Sequence, residues 1–314
     1  MGKIAFIFPG QGSQSVGMGK AAAEANERAK AIIEQADARL VFPLSDIMYN
    51  GPQEKLTLTT NAQPALLTAS IAILQLLIEA GIQPDYTAGH SLGEYSALVA
   101  AGAMSFEDAV YAVRKRGEFM EEAVPNGEGT MAAVLGMDRD LLLDVCETVS
   151  SEGHPVQLAN LNCPGQIVIS GSKLGVELAS ERAKEKGAKR VIPLQVSGPF
   201  HSALMKPAAE KFRKVLDEIT IKDASIPVVA NVTANELIKA TEIKNKLIEQ
   251  LYSPVLWEDS VRYMINQGVD TFIEVGAGKV LTGLVKKIDR SVSVFNVFDP
   301  ESCQQVIDAL KEVQ

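Results

Sequence analysis

The sequence predicts an α/β protein built in two parts, a large alternating unit interrupted by a smaller one. Three observations point there. Strand-like and helix-like segments alternate almost from the start of the chain. Gly89-His90-Ser91-Leu92-Gly93 stands between the apolar run Tyr86-Thr87-Ala88 and a second one at 95–101, the layout of a nucleophile elbow. Finally, Pro125-Asn126-Gly127-Glu128-Gly129 breaks the pattern, and the order β-α-β-β-α-β follows it. That order is the split βαβ, or ferredoxin-like, unit.

In chain order, residues 4–8 read as a strand, 24–40 as a helix and 64–80 as another. The elbow strand and its helix come next. Ser105-Phe106-Glu107-Asp108 resembles a capping box and opens a helix running to about 122. The small unit reads as strand 131–135, helix 139–149, strands 156–159 and 166–170, helix 174–186 and strand 190–194. Alternation then resumes with helix 203–219, strand 228–232, helices 241–251 and 257–266, and strand 271–275. Helix 279–288, strand 292–297 and a last helix close the chain. The parts are therefore expected to be 1–125 with 197–314, and 126–196.

The chain has 314 residues, 46% of them hydrophobic, enough for a large buried core. Its most apolar segment, 64–82, is interrupted by Gln75 and Glu79 and reads as a buried helix, so no membrane span is expected. The N-terminal apolar run ends in Pro9-Gly10 without a small-residue cleavage site, which favours a core strand over a signal peptide. Cys146, Cys163 and Cys303 are scattered and odd in number, which points to a reducing cytoplasm and away from disulfides or a zinc site. The net charge of −9 is unfavourable for general nucleic-acid binding.

A serine nucleophile needs a base, and the chain has three histidines. His90 adjoins Ser91, and neighbours at a tight turn project in different directions, so it reads as packing. His154 precedes Pro155 in an extended connection and reads as a surface residue. His201 lies in the loop Val196-Ser197-Gly198-Pro199-Phe200-His201-Ser202, at the cleft expected between the units, and is the candidate base. Phe8-Pro9-Gly10-Gln11-Gly12-Ser13-Gln14 fails the dinucleotide fingerprint, because the third glycine would fall at Ser15. Gln11 is instead placed to supply the second oxyanion N–H that an elbow needs; a plain strand-to-helix turn is the alternative. Gly276-Ala277-Gly278-Lys279 lacks the Walker Ser/Thr and its upstream glycine.

Arg116 falls on one helical face with Ala109, Ala112, Val113 and Met120. A charge in an apolar stripe requires a partner, either an internal carboxylate such as Glu94 or the carboxylate of a substrate. Asn160-Leu161-Asn162 and Gln166 bracket a turn in the small unit, either as turn caps or as site-lining residues.

These segments occur together with Arg114-Lys115-Arg116-Gly117, with Gln250 ahead of Ser253-Pro254-Val255-Leu256-Trp257, and with Glu274-Val275-Gly276. In that order and spacing they closely resemble the malonyl-CoA:acyl carrier protein transacylase family of bacterial fatty-acid synthesis, over essentially the whole chain. The resemblance implies an α/β-hydrolase-like large subdomain with a ferredoxin-like insertion. It implies Ser91 as the acyl-accepting nucleophile and His201 as general base and acid. The backbone amides of Gln11 and Leu92 would form the oxyanion hole, and the backbone carbonyl of Gln250 would orient the histidine. Arg116 would hold the malonyl carboxylate, while Phe200 and Met120 would line the acyl pocket, with Asn160 and Asn162 as further substrate contacts. No metal or cofactor is implied beyond the phosphopantetheine carried by the partner, acyl carrier protein, and a cytoplasmic monomer is expected. Carrier docking is expected on Lys286, Lys287 and Arg290 or on Lys184, Lys189 and Arg190. The competing reading is a thioesterase or carboxylesterase on the same elbow, which would require an Asp or Glu orienting His201.

Overall fold

The run Lys3–Phe8 forms β1, and its side chains divide between two cores, Ile4, Phe6 and Phe8 into one and Ala5 and Ile7 into the other. A strand buried on both faces belongs inside a parallel sheet covered by helices. The structure, a computed structural model, describes residues 2–125 and 127–312. Asn126, where the sequence places the start of the small unit, lies outside the described residues, as do the expected outer bounds at Met1 and at 313–314.

After β1 come α1 (Lys20–Ala25), α2 (Glu27–Leu40), α3 (Leu44–Asn50), α4 (Gln53–Thr57) and α5 (Thr59–Glu79). The one helix expected over 24–40 is broken at Asn26. Its backbone is extended, and its side chain accepts from the Ala29 amide at 2.9 Å, capping a new helix. α3 and α4 are too short to register as a periodic pattern in the sequence. α5 begins at Thr59, not 64, and so carries Pro64 inside it. Proline offers no N–H to the Thr60 carbonyl, and Arg114 Nη1 serves that oxygen instead at 3.0 Å. This helix is long and apolar enough to cross a membrane, yet 83% of its apolar window is buried within the protein.

β2 (Tyr86–Gly89), α6 (Gly93–Ala100) and α7 (Phe106–Glu122) follow, with Ser105 Oγ accepting from the Asp108 amide to start α7. The chain then forms β3 (Gly129–Leu135), α8 (Arg139–Ser151), β4 (Val156–Cys163), β5 (Gln166–Ser172), α9 (Lys173–Glu185) and β6 (Arg190–Pro193). These strands make an antiparallel sheet in the order β4-β5-β3-β6, with a core of its own around Val134, Leu142, Ile169 and Val176.

A 3-10 turn at Ala203–Met205 leads into α10 (Lys206–Glu218), β7 (Val228–Val229), β8 (Glu236–Leu237), α11 (Ala240–Gln250) and α12 (Trp257–Asn266). The strand expected over 228–232 shrinks to two residues paired antiparallel with β8, a hairpin too short to be legible in the sequence. β9 (Val269–Val275), α13 (Val280–Ile288), β10 (Ser293–Val297) and α14 (Pro300–Glu312) complete the chain. Glu274, in the motif ending β9, is a helix cap: its carboxylate accepts from the Leu281 and Thr282 amides at 3.1 and 2.7 Å.

The large sheet runs β10-β9-β1-β2-β7-β8 and is parallel except for its last pair. The chain enters at the middle and builds outward in both directions. Ligands bind such sheets beyond the carboxyl ends of the central strands, here β1 and β2. The small sheet is joined to the large unit there. The Leu161 amide donates to the Val255 carbonyl at 2.9 Å, and the Val255 amide to the Ala159 carbonyl at 2.8 Å.

Candidate active site

The turn after β2 is made by backbone lying directly on backbone. A β-carbon at Gly89 would fall 1.9 Å from the Gly93 carbonyl, and one at Gly93 would fall 2.1 Å from the Phe8 carbonyl oxygen. Only glycine permits that approach. Ser91 itself is forced to φ 50°, the left-handed region that a side chain disfavours. Asn231, just after β7, holds the turn in place. Its Oδ1 accepts from the Ser91 amide at 2.7 Å and its Nδ2 donates to the Gly89 carbonyl at 2.7 Å. The Ser91 amide is thereby used. The amides of Leu92 and Gln11 make no protein hydrogen bond among the described residues, and both residues line the same cavity.

His201, also at positive φ (56°), brings Nε2 to 2.8 Å from Ser91 Oγ. Its Nδ1 lies 2.8 Å from the carbonyl oxygen of Gln250. Gln250 is the last residue of α11, where carbonyls have lost their intrahelical partners and are free to accept elsewhere. A carbonyl only accepts, so Nδ1 carries the proton and Nε2 presents a lone pair to the serine hydroxyl. Burial drives the His201 pKa down to about 3. The Arg116 charge adds to that shift, and the Gln250 carbonyl opposes it only in part.

Arg116 occupies the buried face of α7 with Ala109, Ala112, Val113 and Met120, at 1% exposure. Nη1 donates to Gln63 Oε1 at 2.7 Å; Nη2 donates to Gln250 Oε1 at 2.9 Å and to Ser91 Oγ at 3.1 Å. The guanidinium also lies 5.6 Å over the Tyr95 ring. No carboxylate of the described residues pairs with it directly. Glu94, the internal partner considered from the sequence, is one amide removed: Gln250 Nε2 donates to Glu94 Oε2 at 2.7 Å. Burial lowers the Arg116 pKa and raises that of Glu94 to about 7.

Ser91, His201, Gln11, Leu92, Arg116, Met120, Phe200 and Asn160 all line one cavity of about 360 Å³, with Met131, Leu194 and Val196 facing them from beyond Gly127. Gln250 stands behind it. Asn162 does not line it. Asn162 Oδ1 instead bonds His90 Nε2 at 2.8 Å, and the His90 ring packs 5.7 Å from Trp257, so this pair ties the elbow to β4. A larger hollow of about 530 Å³ between α9 and β6 contains no histidine or cysteine. No group of three or more His, Cys, Asp or Glu among the described residues is placed to hold a metal ion.

Lys286 and Lys287 are exposed on the last turn of α13, and Lys189 and Arg190 are exposed at β6. Arg190 pairs with Leu135 and Leu135 with Gln166, whose Oε1 takes Lys287 Nζ at 3.4 Å. Lys287 and Arg190, one from each basic group considered from the sequence, therefore lie along one strip across β5, β3 and β6. Lys184 lies apart from them, in the larger hollow.

Gln63 and Asn231 were not legible as site residues. Gln63 left one weak signal, a polar residue directly before the apolar run of α5, and it is fully buried in the fold. Asn231 left none, because it sits in a loop that only folding brings to the elbow.

The chain matches the family described as acyl transferase domain over residues 5–306. It is 63% identical over 312 residues to the malonyl CoA-acyl carrier protein transacylase of Bacillus subtilis, covering 99% of this chain and 98% of that one. Its identity to the protein of the same name from Staphylococcus aureus is 49% over 297 residues, covering 95% and 96%. Among solved structures, the malonyl CoA-acyl carrier protein transacylase of Coxiella burnetii superposes with a TM-score of 0.95 at 41% identity, covering 98% of each chain. A malonyl-transacylase solved in complex with its type II PKS acyl-carrier protein superposes with a TM-score of 0.94 at 42% identity, covering 98% of this chain and 99% of that one.

Proposed function

We infer that this chain, which belongs to the acyl transferase domain family, moves a malonyl group from malonyl-CoA to the phosphopantetheine thiol of acyl carrier protein. The observation that carries this is a single cavity in which a serine, its histidine and the fork of a buried arginine converge. Nucleophile and base suit acyl transfer in general, and the guanidinium beside them suits an acyl group that ends in a second carboxylate.

The reaction proceeds in two halves. Ser91 Oγ attacks the thioester carbonyl of malonyl-CoA while its proton passes to His201 Nε2. The oxyanion of the tetrahedral intermediate takes hydrogen bonds from the amides of Gln11 and Leu92. Collapse breaks the carbon–sulfur bond, and the CoA sulfur leaves with the proton from Nε2, giving a malonyl-serine ester. The carrier's thiol then enters, gives its proton to Nε2, attacks the ester and displaces Ser91 Oγ, which recovers that proton. Kinetics are ping-pong. Phe200, which lines the cavity with His201, would crowd a 2-methyl branch on the acyl group. The serine hydrolase alternative calls for a carboxylate on Nδ1 of the base, and the group there is a backbone carbonyl.

The same reading assigns residues 126–196 to a ferredoxin-like insertion in an α/β-hydrolase-like unit of 1–125 and 197–314. The separate core and the strand order β4-β5-β3-β6 support it. The test is intact-mass analysis after malonyl-CoA is added, then again after carrier protein. One malonyl group on the enzyme, moving to the carrier, is expected; release as free malonate at the same rate with or without carrier would overturn the reading.

A further inference from the structure

Arg116 is a buried cation whose three acceptors, Gln63 Oε1, Gln250 Oε1 and Ser91 Oγ, are all neutral. Glu94 is fully buried close by, with Oε2 taking Gln250 Nε2 at 2.7 Å and the Asn231 amide at 3.3 Å. Fully buried charged side chains are ordinarily paired. Here one side-chain amide stands between them. A direct pair would occupy the fork that a substrate carboxylate needs.

We propose that Glu94 is a positioning residue for malonyl selectivity, acting on Arg116 through the side-chain amide of Gln250. The proposal rests on the reading that Arg116 grips the malonyl carboxylate. A guanidinium only donates and a carboxylate only accepts, so the amide is oriented from both ends, Oε1 toward Arg116 and Nε2 toward Glu94. Without Glu94, Nε2 keeps only neutral acceptors, the Ser91 carbonyl at 3.0 Å and Asn231 Oδ1 at 3.3 Å. The amide then loses its one charge-assisted anchor, and a flip would set its NH₂ against the guanidinium, donor facing donor. The Gln250 carbonyl that serves His201 belongs to the backbone of α11 and keeps its place. The loss therefore falls on the carboxylate grip more than on the base.

The experiment compares malonyl and acetyl transfer from CoA to carrier protein at pH 8 for the wild type, Glu94→Ala, Glu94→Gln, Arg116→Ala and the Glu94→Ala/Arg116→Ala double variant. Thermal unfolding is followed for each. Glu94→Ala is expected to lower the malonyl-to-acetyl rate ratio about tenfold, the scale of one charge-assisted hydrogen bond. Glu94→Gln, whose amide oxygen still accepts from Gln250 Nε2 but carries no charge, should recover part of that ratio. With Arg116 already replaced, removing Glu94 should leave the ratio where it is. Equal loss for both acyl groups overturns the proposal, as does an undiminished Glu94 effect in the Arg116→Ala background. So does a folded Glu94→Gln protein that recovers nothing. A wild-type ratio untouched by Arg116→Ala is a different failure, since it removes the underlying reading of the clamp and the proposal with it.

Discussion

His201 Nδ1 lies 2.8 Å from the backbone carbonyl oxygen of Gln250, a dipole in the place where many serine enzymes put a carboxylate. A neutral orienter fixes the tautomer without strongly stabilising the imidazolium. In the proposed transfer, a proton taken from Ser91 would then be easily returned, which suits a step that must run in both directions.

Ser91→Ala should abolish the malonyl-enzyme altogether, as read by intact mass. His201→Ala should slow its formation by about 10²- to 10⁴-fold, the usual contribution of a positioned base. A covalent adduct persisting in Ser91→Ala would place the nucleophile elsewhere.

Arg116→Ala should cut malonyl transfer by roughly 10- to 100-fold, equivalent to one charge-assisted contact, while acetyl transfer holds or improves. Arg116→Lys should recover little, because a point charge does not reproduce the fork that now spans Gln63 and Gln250. Parallel loss of both acyl groups would make Arg116 a structural residue.

The pH profile should separate two buried groups. His201, with a pKa driven down to about 3 by burial and by Arg116, stays neutral far below the ordinary 6.5. The acid limb of malonyl-serine formation that belongs to the base should therefore sit below about pH 5. Any inflection near pH 7 belongs to Glu94, raised to about 7 by burial, and should vanish in Glu94→Gln. In stability the two groups oppose each other. Between pH 6.5 and 3 the folded chain holds fewer protons on His201 than the unfolded chain, so acid withdraws stability through that residue. Between pH 7 and 4.5 it holds more on Glu94, so acid adds stability there. A limb near 6.5 that Glu94→Gln leaves in place contradicts this assignment.

Gly93→Ala should destabilise the fold by about 3 kcal/mol or more, because the added carbon meets the Phe8 carbonyl oxygen at 2.1 Å, and backbone there has no free space to yield. Denaturant unfolding measures it; a loss below 1 kcal/mol would mean that the elbow relaxes easily.

Reversing charge along the basic strip, with Lys287→Glu and Arg190→Glu together, should raise KM for carrier protein, and salt should do the same to the wild type. Formation of malonyl-serine from malonyl-CoA should change little. Unaltered carrier kinetics would move the docking surface off this strip.

Local chemistry was enough to read the elbow, the helix of Arg116 and the order of the longer strands and helices. Each rests on a period, a turn or a cap set by residues close together in the chain. The helix starts at Asn26 and Thr59 were misplaced for the same reason in reverse. An asparagine cap overrode a continuous apolar period, and Pro64 was tolerated only because Arg114, far along the chain, satisfies the carbonyl it leaves bare. Tertiary structure alone decided that Asn162 turns to His90, that Asn231 holds the serine amide, and that Gln250 stands between Arg116 and Glu94. Those are hydrogen bonds between polar atoms 72 to 156 residues apart. Buried donors and acceptors must find partners, but only the packed fold determines which ones come within reach.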